Sequence, residues 1–282
     1  MNILTFDIED WFHILDNPST KTISDWKNYE TRIYSNMELI FDILARHNKK
    51  ATFFCLGWMA ETYPQVIKEI IDRGYEIGSH SHLHQLVFEQ SKDRFAADLE
   101  RSLKTLQDIT GQKVKYFRAP GFSITESTKW AFEVLYNYEV EVDCSVFPAS
   151  HAHGGFPNYE RPIPSILKYN GCELKELPMN YISIFGKRVI FSGGGYFRLF
   201  PYFLIKSWTE KSNYVMSYLH PRDFDMNQPL IKELNLYRRF KSYVGLKSTQ
   251  MKYDNWLNEF DFLDVGTAVN KIDWSIVPRV QL

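Results

Sequence analysis

Met1-Asn-Ile-Leu-Thr-Phe-Asp7-Ile-Glu9-Asp10-Trp-Phe12 opens the chain, and three acids arrive where a core strand should begin. Side chains on a strand alternate between faces. Leu4, Phe6 and Ile8 therefore share one face, and Ile3, Thr5, Asp7 and Glu9 the other. Two carboxylates two residues apart on one face repel unless a positive group stands between or beside them. A metal ion meets that need, and Gly78-Ser-His80-Ser-His82-Leu-His84 offers further donors.

The 282 residues suffice for one large α/β domain, and with no linker, low-complexity stretch or internal repeat they are read as one unit, 1–282. A net charge of −1 and the lack of a basic run argue against nucleic acid as a partner. Aromatic residues make up 16%, enough to fill a core and line a sugar groove. Cys55, Cys144 and Cys172 are odd in number and widely spaced, so buried thiols are expected rather than disulfides. The N-terminus lacks a basic segment followed by an apolar run, and no uncharged apolar stretch could cross a bilayer. A cytoplasmic location is the expectation.

Strand and helix patterns alternate through the first half. Helices are predicted over 34–47, 64–73, 95–109 and 125–136, and strands over 51–56, 75–78, 115–118 and 140–143. Such βα units imply a parallel sheet, open or closed into a barrel. Beyond about His151 the pattern weakens, with strands expected over 173–177, 187–191, 214–219 and 260–265 and a helix over 230–243.

In parallel α/β folds the working groups gather at the carboxyl ends of strands. Asp7, Glu9, Asp10, His80, His84, Arg118, Asp143 and His220 all fall at such ends. On one helical turn, the spacing of His80 and His84 would let two imidazoles share a cation. With one carboxylate added, a coordination position stays open, as a catalytic metal requires. Glu9 is the favoured carboxylate because it shares a face with Asp7, and Asp10 is the alternative. His82 is expected to point elsewhere. No Gly-x-Ser-x-Gly elbow occurs, which disfavours serine acyl transfer.

These residues resemble the polysaccharide deacetylase family, also called carbohydrate esterase family 4 or the NodB-homology domain. Thr5-Phe-Asp7 is similar to the start of its first motif, His80-Ser-x-x-His84 to the second, Arg118-Ala-Pro120 to the third, Asp143 to the fourth and Leu219-His220 to the fifth. Ile8 stands where the first motif commonly has a second aspartate, and Gly121 precedes Phe122 where an aromatic usually follows the proline. Phe191-Ser-Gly-Gly-Gly-Tyr-Phe-Arg198 resembles a subfamily found with exopolysaccharide and O-antigen synthesis. A tight loop is the favoured reading of its glycines over a phosphate cradle, because no Lys-[Ser/Thr] follows.

The resemblance implies a distorted, incomplete (β/α) barrel and a metal-dependent hydrolase that removes N-acetyl groups from an amino sugar of a glycan or glycan precursor. It implies Asp7 as general base held by Arg118, His220 as general acid and Asp143 as the group fixing the His220 tautomer. Glu9, His80 and His84 would hold a divalent metal; oxygen and imidazole donors suit zinc, and cobalt, nickel or iron also fit. Pro120, Gly121, Phe122 and Phe147 would line the substrate groove, with a backbone N–H near Gly121 or Phe122 serving the oxyanion. Two alternatives stand beside this reading: an amidohydrolase of cyclic ureides or imides, and a silent glycan-binding relative.

Overall fold

The computed structural model describes every residue except Asp16 and Lys21. Its main sheet has eight strands in the spatial order Arg279–Gln281, Ser165–Tyr169, Cys172–Glu176, Val142–Asp143, Tyr116–Phe117, Glu76–Ser79, Thr52–Cys55 and Thr5–Ile8. Ser165–Tyr169 and Cys172–Glu176 pair antiparallel, and all other neighbours pair parallel. Asn170 and Gly171 make that hairpin's two-residue turn, both with positive φ, as a turn matched to the twist of the strands requires.

The opening segment changes partners at Leu4. Asn2–Ile3 pairs on either side with Val215–Met216 and Phe262–Leu263, whereas Thr5–Ile8 pairs with Thr52–Cys55. On its other edge Phe6 bridges in parallel to Leu219, and the Asp7 N–H donates to the Leu219 carbonyl at 2.8 Å. Leu219 leads directly into His220, so this bridge carries a distant part of the chain to the end of the first strand. The result is a distorted, incomplete (β/α) barrel, with helices packed outside the sheet.

The predicted elements of the first half form with shifted ends. Helices cover Ile33–Arg46, Pro64–Asp72, Lys92–Thr110 and Trp130–Asn137. In Lys92–Thr110 the buried residues Phe95, Leu99, Leu103 and Leu106 recur at three- and four-residue intervals. Ser91 caps its start, and Gly111 ends it in the left-handed conformation. In the second half the expected 230–243 helix is confined to Leu236–Tyr243, where the Asn235 side chain caps its start by accepting the Arg238 N–H at 2.9 Å. Six helices among the described residues were not foreseen: Ile23–Trp26, Gly57–Thr62, Gly194–Leu199, Tyr202–Glu210, Leu246–Glu259 and Val265–Lys271. No helix among the described residues is long and apolar enough to cross a membrane.

One apolar cluster runs through the fold from Leu4 to Phe262. Phe6 and Phe53 stack at 5.2 Å between ring centroids, with Phe41 and Tyr75 against Phe53 at 6.0 and 5.4 Å. Both faces of Thr5–Ile8 are buried, so Asp7 sits in a place where an unpaired charge would be costly. Phe53→Ala should destabilise the protein by about 3–5 kcal/mol, the usual cost of emptying an aromatic site. Chemical denaturation read by circular dichroism measures it.

Candidate active site

Glu9 follows the first strand, and its carboxylate meets two imidazoles. Its Oε1 lies 3.0 Å from His80 Nε2 and 2.8 Å from His84 Nε2. His80 Nδ1 stands 2.8 Å from the Arg118 carbonyl. A carbonyl only accepts, so Nδ1 carries the proton and a neutral His80 turns its Nε2 lone pair toward Glu9. Two acceptors face each other at hydrogen-bond distance, a contact that needs a proton or a cation between them. His84 Nε2 is buried and makes no hydrogen bond. Glu9, His80 and His84 thus fit a metal ion, with one donor atom from each lying within 4.8 Å of the others. Burial opposes ionisation of Glu9, but the two imidazoles beside it, His84 above all, hold its carboxyl well below the usual range.

His80 and His84 are not on a helix, contrary to the four-residue spacing argument. They lie in an irregular loop after Glu76–Ser79 in which Ser81 and His84 have positive φ. Asp98, on the Lys92–Thr110 helix, holds this loop by accepting from the backbone N–H groups of His82 (2.7 Å) and Leu83 (3.0 Å). The Ser81 hydroxyl accepts from the His84 N–H at 3.1 Å. His82 turns away from Glu9, toward Gly57, where a Cβ would come within 2.2 Å of its ring. Only glycine admits that approach.

Asp10 is not placed with the metal donors. Its carboxylate accepts from the N–H of Trp11 (2.8 Å), from Arg32 (3.0 Å) and from the Thr31 hydroxyl, fastening the turn after the first strand to the following helix. Burial raises its pKa.

Asp7 Oδ1 accepts from Arg118 Nη1 at 2.7 Å. Arg118 is fully buried, also donates to Thr5 Oγ1 and the Cys144 carbonyl, and lies over the Phe54 ring at 4.3 Å. The other Asp7 oxygen, Oδ2, is 3.9 Å from His220 Nε2, which is equally 3.9 Å from Glu9 Oε1. His220 therefore looks at both acids across a gap.

The partner of His220 is Asp223, not Asp143. Asp223 Oδ2 lies 3.1 Å from His220 Nδ1 and accepts the His220 backbone N–H at 2.9 Å, while Arg198 binds Oδ1 at 2.9 Å. Asp143 ends a different strand, where it accepts from the Ser145 hydroxyl at 2.6 Å beside the buried Glu176. Its short strand carries it into the sheet interior, and its role is to hold Ser145, whose hydroxyl accepts the Ala119 N–H at 2.8 Å. The acid three residues after His220, in His220-Pro-Arg-Asp223, was the sequence signal for the true partner. Arg198 and Asp98 left none, because both act across long stretches of chain.

A cavity of about 250 Å³ joins these groups, with Gly121, Phe122, Phe147, Tyr196 and Tyr218 in its walls. Phe122 packs against Phe147 and Tyr218 at 5.2 and 5.1 Å. Pro120 does not reach the wall; it opens the turn that presents Gly121 and Phe122. The Phe122 N–H is taken by the Ala119 carbonyl at 3.0 Å, which leaves Gly121 as the candidate backbone donor. In the glycine run, Gly193 bridges Tyr218, and a Cβ there would sit 1.8 Å from the Tyr218 oxygen; Gly194 has φ of +51°. These glycines bring backbone against backbone.

A family profile described as polysaccharide deacetylase matches residues 20–138, and one described as a domain of unknown function, DUF3473, matches 144–270. Residues 20–138 thus carry a polysaccharide deacetylase domain. It is 36% identical over 95 residues to a peptidoglycan-N-acetylglucosamine deacetylase of Bacillus cereus, covering 33% of this chain and 34% of that one. It is 31% identical over 78 residues to chitin deacetylase 1 of Saccharomyces cerevisiae, covering 28% and 26%. The matched stretch thus spans about a third or less of these relatives. Among solved structures, one from Mycobacterium smegmatis assigned to the polysaccharide deacetylases superposes with a TM-score of 0.65 at 17% identity, covering 99% of this chain and 92% of that one. A CE4 family pseudoenzyme from Bacillus anthracis superposes with a TM-score of 0.51 at 15% identity, covering 99% and 66%. The fold is common to these proteins, and activity is a matter of the residues within it.

Glu9→Gln should abolish binding of zinc, and Asp10→Asn should preserve it, as read by isothermal titration of the metal-free protein. A second prediction concerns His220. Burial disfavours its charged form, but the hydrogen bond to Asp223 and the charge of Glu9 outweigh this and raise its pKa to about 9. A raised pKa stabilises the fold fully below the unfolded value of about 6.5, and that contribution fades as pH climbs through the folded value. In metal-free protein, NMR should find the His220 midpoint near pH 9, and Asp223→Asn should lower it.

Proposed function

We propose that the protein is a metal-dependent hydrolase that removes the N-acetyl group from an amino sugar of a glycan or glycan precursor. The convergence of the Asp7–Arg118 pair, the Glu9–His80–His84 cluster and the His220–Asp223 pair on one cavity carries this reading. The names of the aligned relatives, peptidoglycan and chitin deacetylases, support an N-acetylated glycan as the substrate class. The similarity of Phe191–Arg198 to deacetylases of exopolysaccharide synthesis supports a role in building cell-surface polysaccharide.

Glu9, His80 and His84 would hold a divalent ion, with zinc best suited to the donor set. Such an ion supplies Lewis-acid chemistry, polarising a carbonyl and making water more acidic. Asp7 is the base. Arg118 occupies Oδ1 and fixes the carboxylate plane, leaving Oδ2 turned to the gap, where it takes a proton from the attacking water. The water oxygen adds to the acetyl carbon, and the Gly121 N–H donates to the carbonyl oxygen as negative charge develops. His220, whose Nδ1 faces Asp223, protonates the leaving nitrogen from Nε2 as the C–N bond breaks. Acetate and a free amine result. The aromatic walls, Phe122, Phe147 and Tyr218, suit the faces of a sugar ring.

Acetate release from N-acetylated oligosaccharides, measured with zinc, cobalt or nickel added, tests this. Asp7→Asn should bind metal normally yet lose at least about 10²-fold in rate, the usual worth of a general base, and His220→Ala should lose a similar factor. Full activity in either variant would reassign the roles. Ring opening of a cyclic imide without acetate release would favour the ureide and imide alternative, and glycan binding without turnover would favour the silent one.

A further inference from the structure

The segment from Met226 to Lys247 differs from the rest of the surface in two ways at once. Of the sixteen large apolar side chains exposed among the described residues, five lie within its first fifteen positions: Met226, Leu230, Leu236, Tyr237 and Phe240. It also carries Lys232, Arg238, Arg239, Lys241 and Lys247 against one acid, Glu233, in a chain whose net charge is −1. Its helix, Leu236–Tyr243, buries no residue.

The helix is oriented by what it does bury in part. Arg238, Lys241 and Ser242 line the cavity of the candidate active site. At 100° per residue, Leu236 and Phe240 then project on the opposite side, with Tyr237 between Phe240 and Lys241, and Leu236, Tyr237 and Phe240 are 85%, 69% and 56% exposed. A surface helix normally turns its apolar stripe to the core and its charges to water. This one does the reverse, with Arg239 and Lys241 flanking an apolar stripe that faces outward. Lys241 lies over the Tyr237 and Tyr196 rings at 5.5 and 5.7 Å, so its charge sits at the edge of that stripe.

We propose that Leu236–Tyr243 is an interfacial helix that seats the mouth of the cavity on an anionic lipid surface. Apolar side chains enter the headgroup boundary, and the basic flanks meet the lipid phosphates. The charge balance selects this occupant: a stripe bordered by cations with one nearby acid complements an anionic plane and repels a second copy of itself. The helix is also tied to the catalytic groups. Arg198 donates to the carbonyls of Lys241, Ser242 and Val244 at 3.0, 2.7 and 3.1 Å, and the same guanidinium holds Asp223, the partner of His220. A glycan attached to a lipid would therefore be presented to the cavity from the side on which the helix docks.

Co-sedimentation of the full chain with vesicles tests the proposal without requiring turnover, so it stands or falls apart from the deacetylase reading. Vesicles of phosphatidylcholine containing about one-third phosphatidylglycerol should bind the protein at low salt, at least about tenfold more tightly than pure phosphatidylcholine. The double variant Leu236→Ser/Phe240→Ser should lose about tenfold or more, and Arg239→Glu should weaken binding to the anionic vesicles alone. All three side chains are exposed, so thermal unfolding should be unchanged. No binding to anionic vesicles, or equal binding by the double variant, would overturn the proposal. So would a wild-type dimer, seen by analytical ultracentrifugation, that the double variant dissolves without any vesicle binding; that result would make the stripe a self-interface.

Discussion

Arg118 is the residue on which the site turns. Its backbone N–H pairs with the Ser79 carbonyl, its own carbonyl meets His80 Nδ1, and its guanidinium holds Asp7. One residue thereby sets the tautomer of a metal donor and the plane of the neighbouring acid. It does so from a fully buried position, between the Phe54 ring and the end of the first strand. A buried guanidinium is costly unless paired and hydrogen-bonded. The charge of Asp7 and the oxygens of Thr5 and Cys144 offset that cost only when the strands are in register. The geometry of the candidate site and the register of the sheet are therefore the same constraint.

The acids of the site are kept apart by giving each its own cation. Asp7 has Arg118, Asp223 has Arg198 together with His220, and Glu9 has two imidazoles arranged for a metal. Asp223 shows the balance: burial works against its ionisation, yet Arg198 and His220 bring its pKa down to about 2. This matters because the fold is shared with a pseudoenzyme. The fold alone therefore does not fix the chemistry, which rests on the paired charges within it.

How much could be read in advance follows the range of the interactions. The alternation of apolar runs and amphipathic helices in the first half is local, and it announced the parallel sheet and its strand ends. Asp7, Glu9, His80, His84, Arg118 and His220 were legible because each stands at such an end, and the structure gathers five of them around one cavity, with Arg118 buried behind Asp7. The loop carrying His80 and His84 was misread as a helical turn, because the anchor that bends it, Asp98, sits in the middle of another helix. Asp143 was misread because a strand-end acid has two directions to face, and Ser145 beside Glu176 draws it inward. Three helices after residue 200, Tyr202–Glu210, Leu246–Glu259 and Val265–Lys271, were missed for a different reason. In Leu246–Glu259 the buried set includes Thr249 and Lys252, whose polar atoms are satisfied by the carbonyls of Gly245, Arg198 and Phe200, so the apolar stripe is broken in sequence though the face is buried in space.

The stretch matched by the domain of unknown function is structurally inseparable from the site. Leu219 adds to the open edge of the first strand, and Val215–Met216 and Phe262–Leu263 enclose Asn2–Ile3. The apolar cluster crosses the boundary between the two matched segments without a break, with Phe224 and Tyr253 packed on Phe6. His220, Asp223 and Arg198 all come from beyond residue 144, whereas Asp7, Glu9, His80, His84 and Arg118 come from before it. The proposed acid–base pair, Asp7 and His220, faces across a gap of 3.9 Å and requires both its members fixed to one rigid body. The parallel bridge between Phe6 and Leu219 supplies that rigidity, since it lies one residue from Asp7 on one side and one residue from His220 on the other.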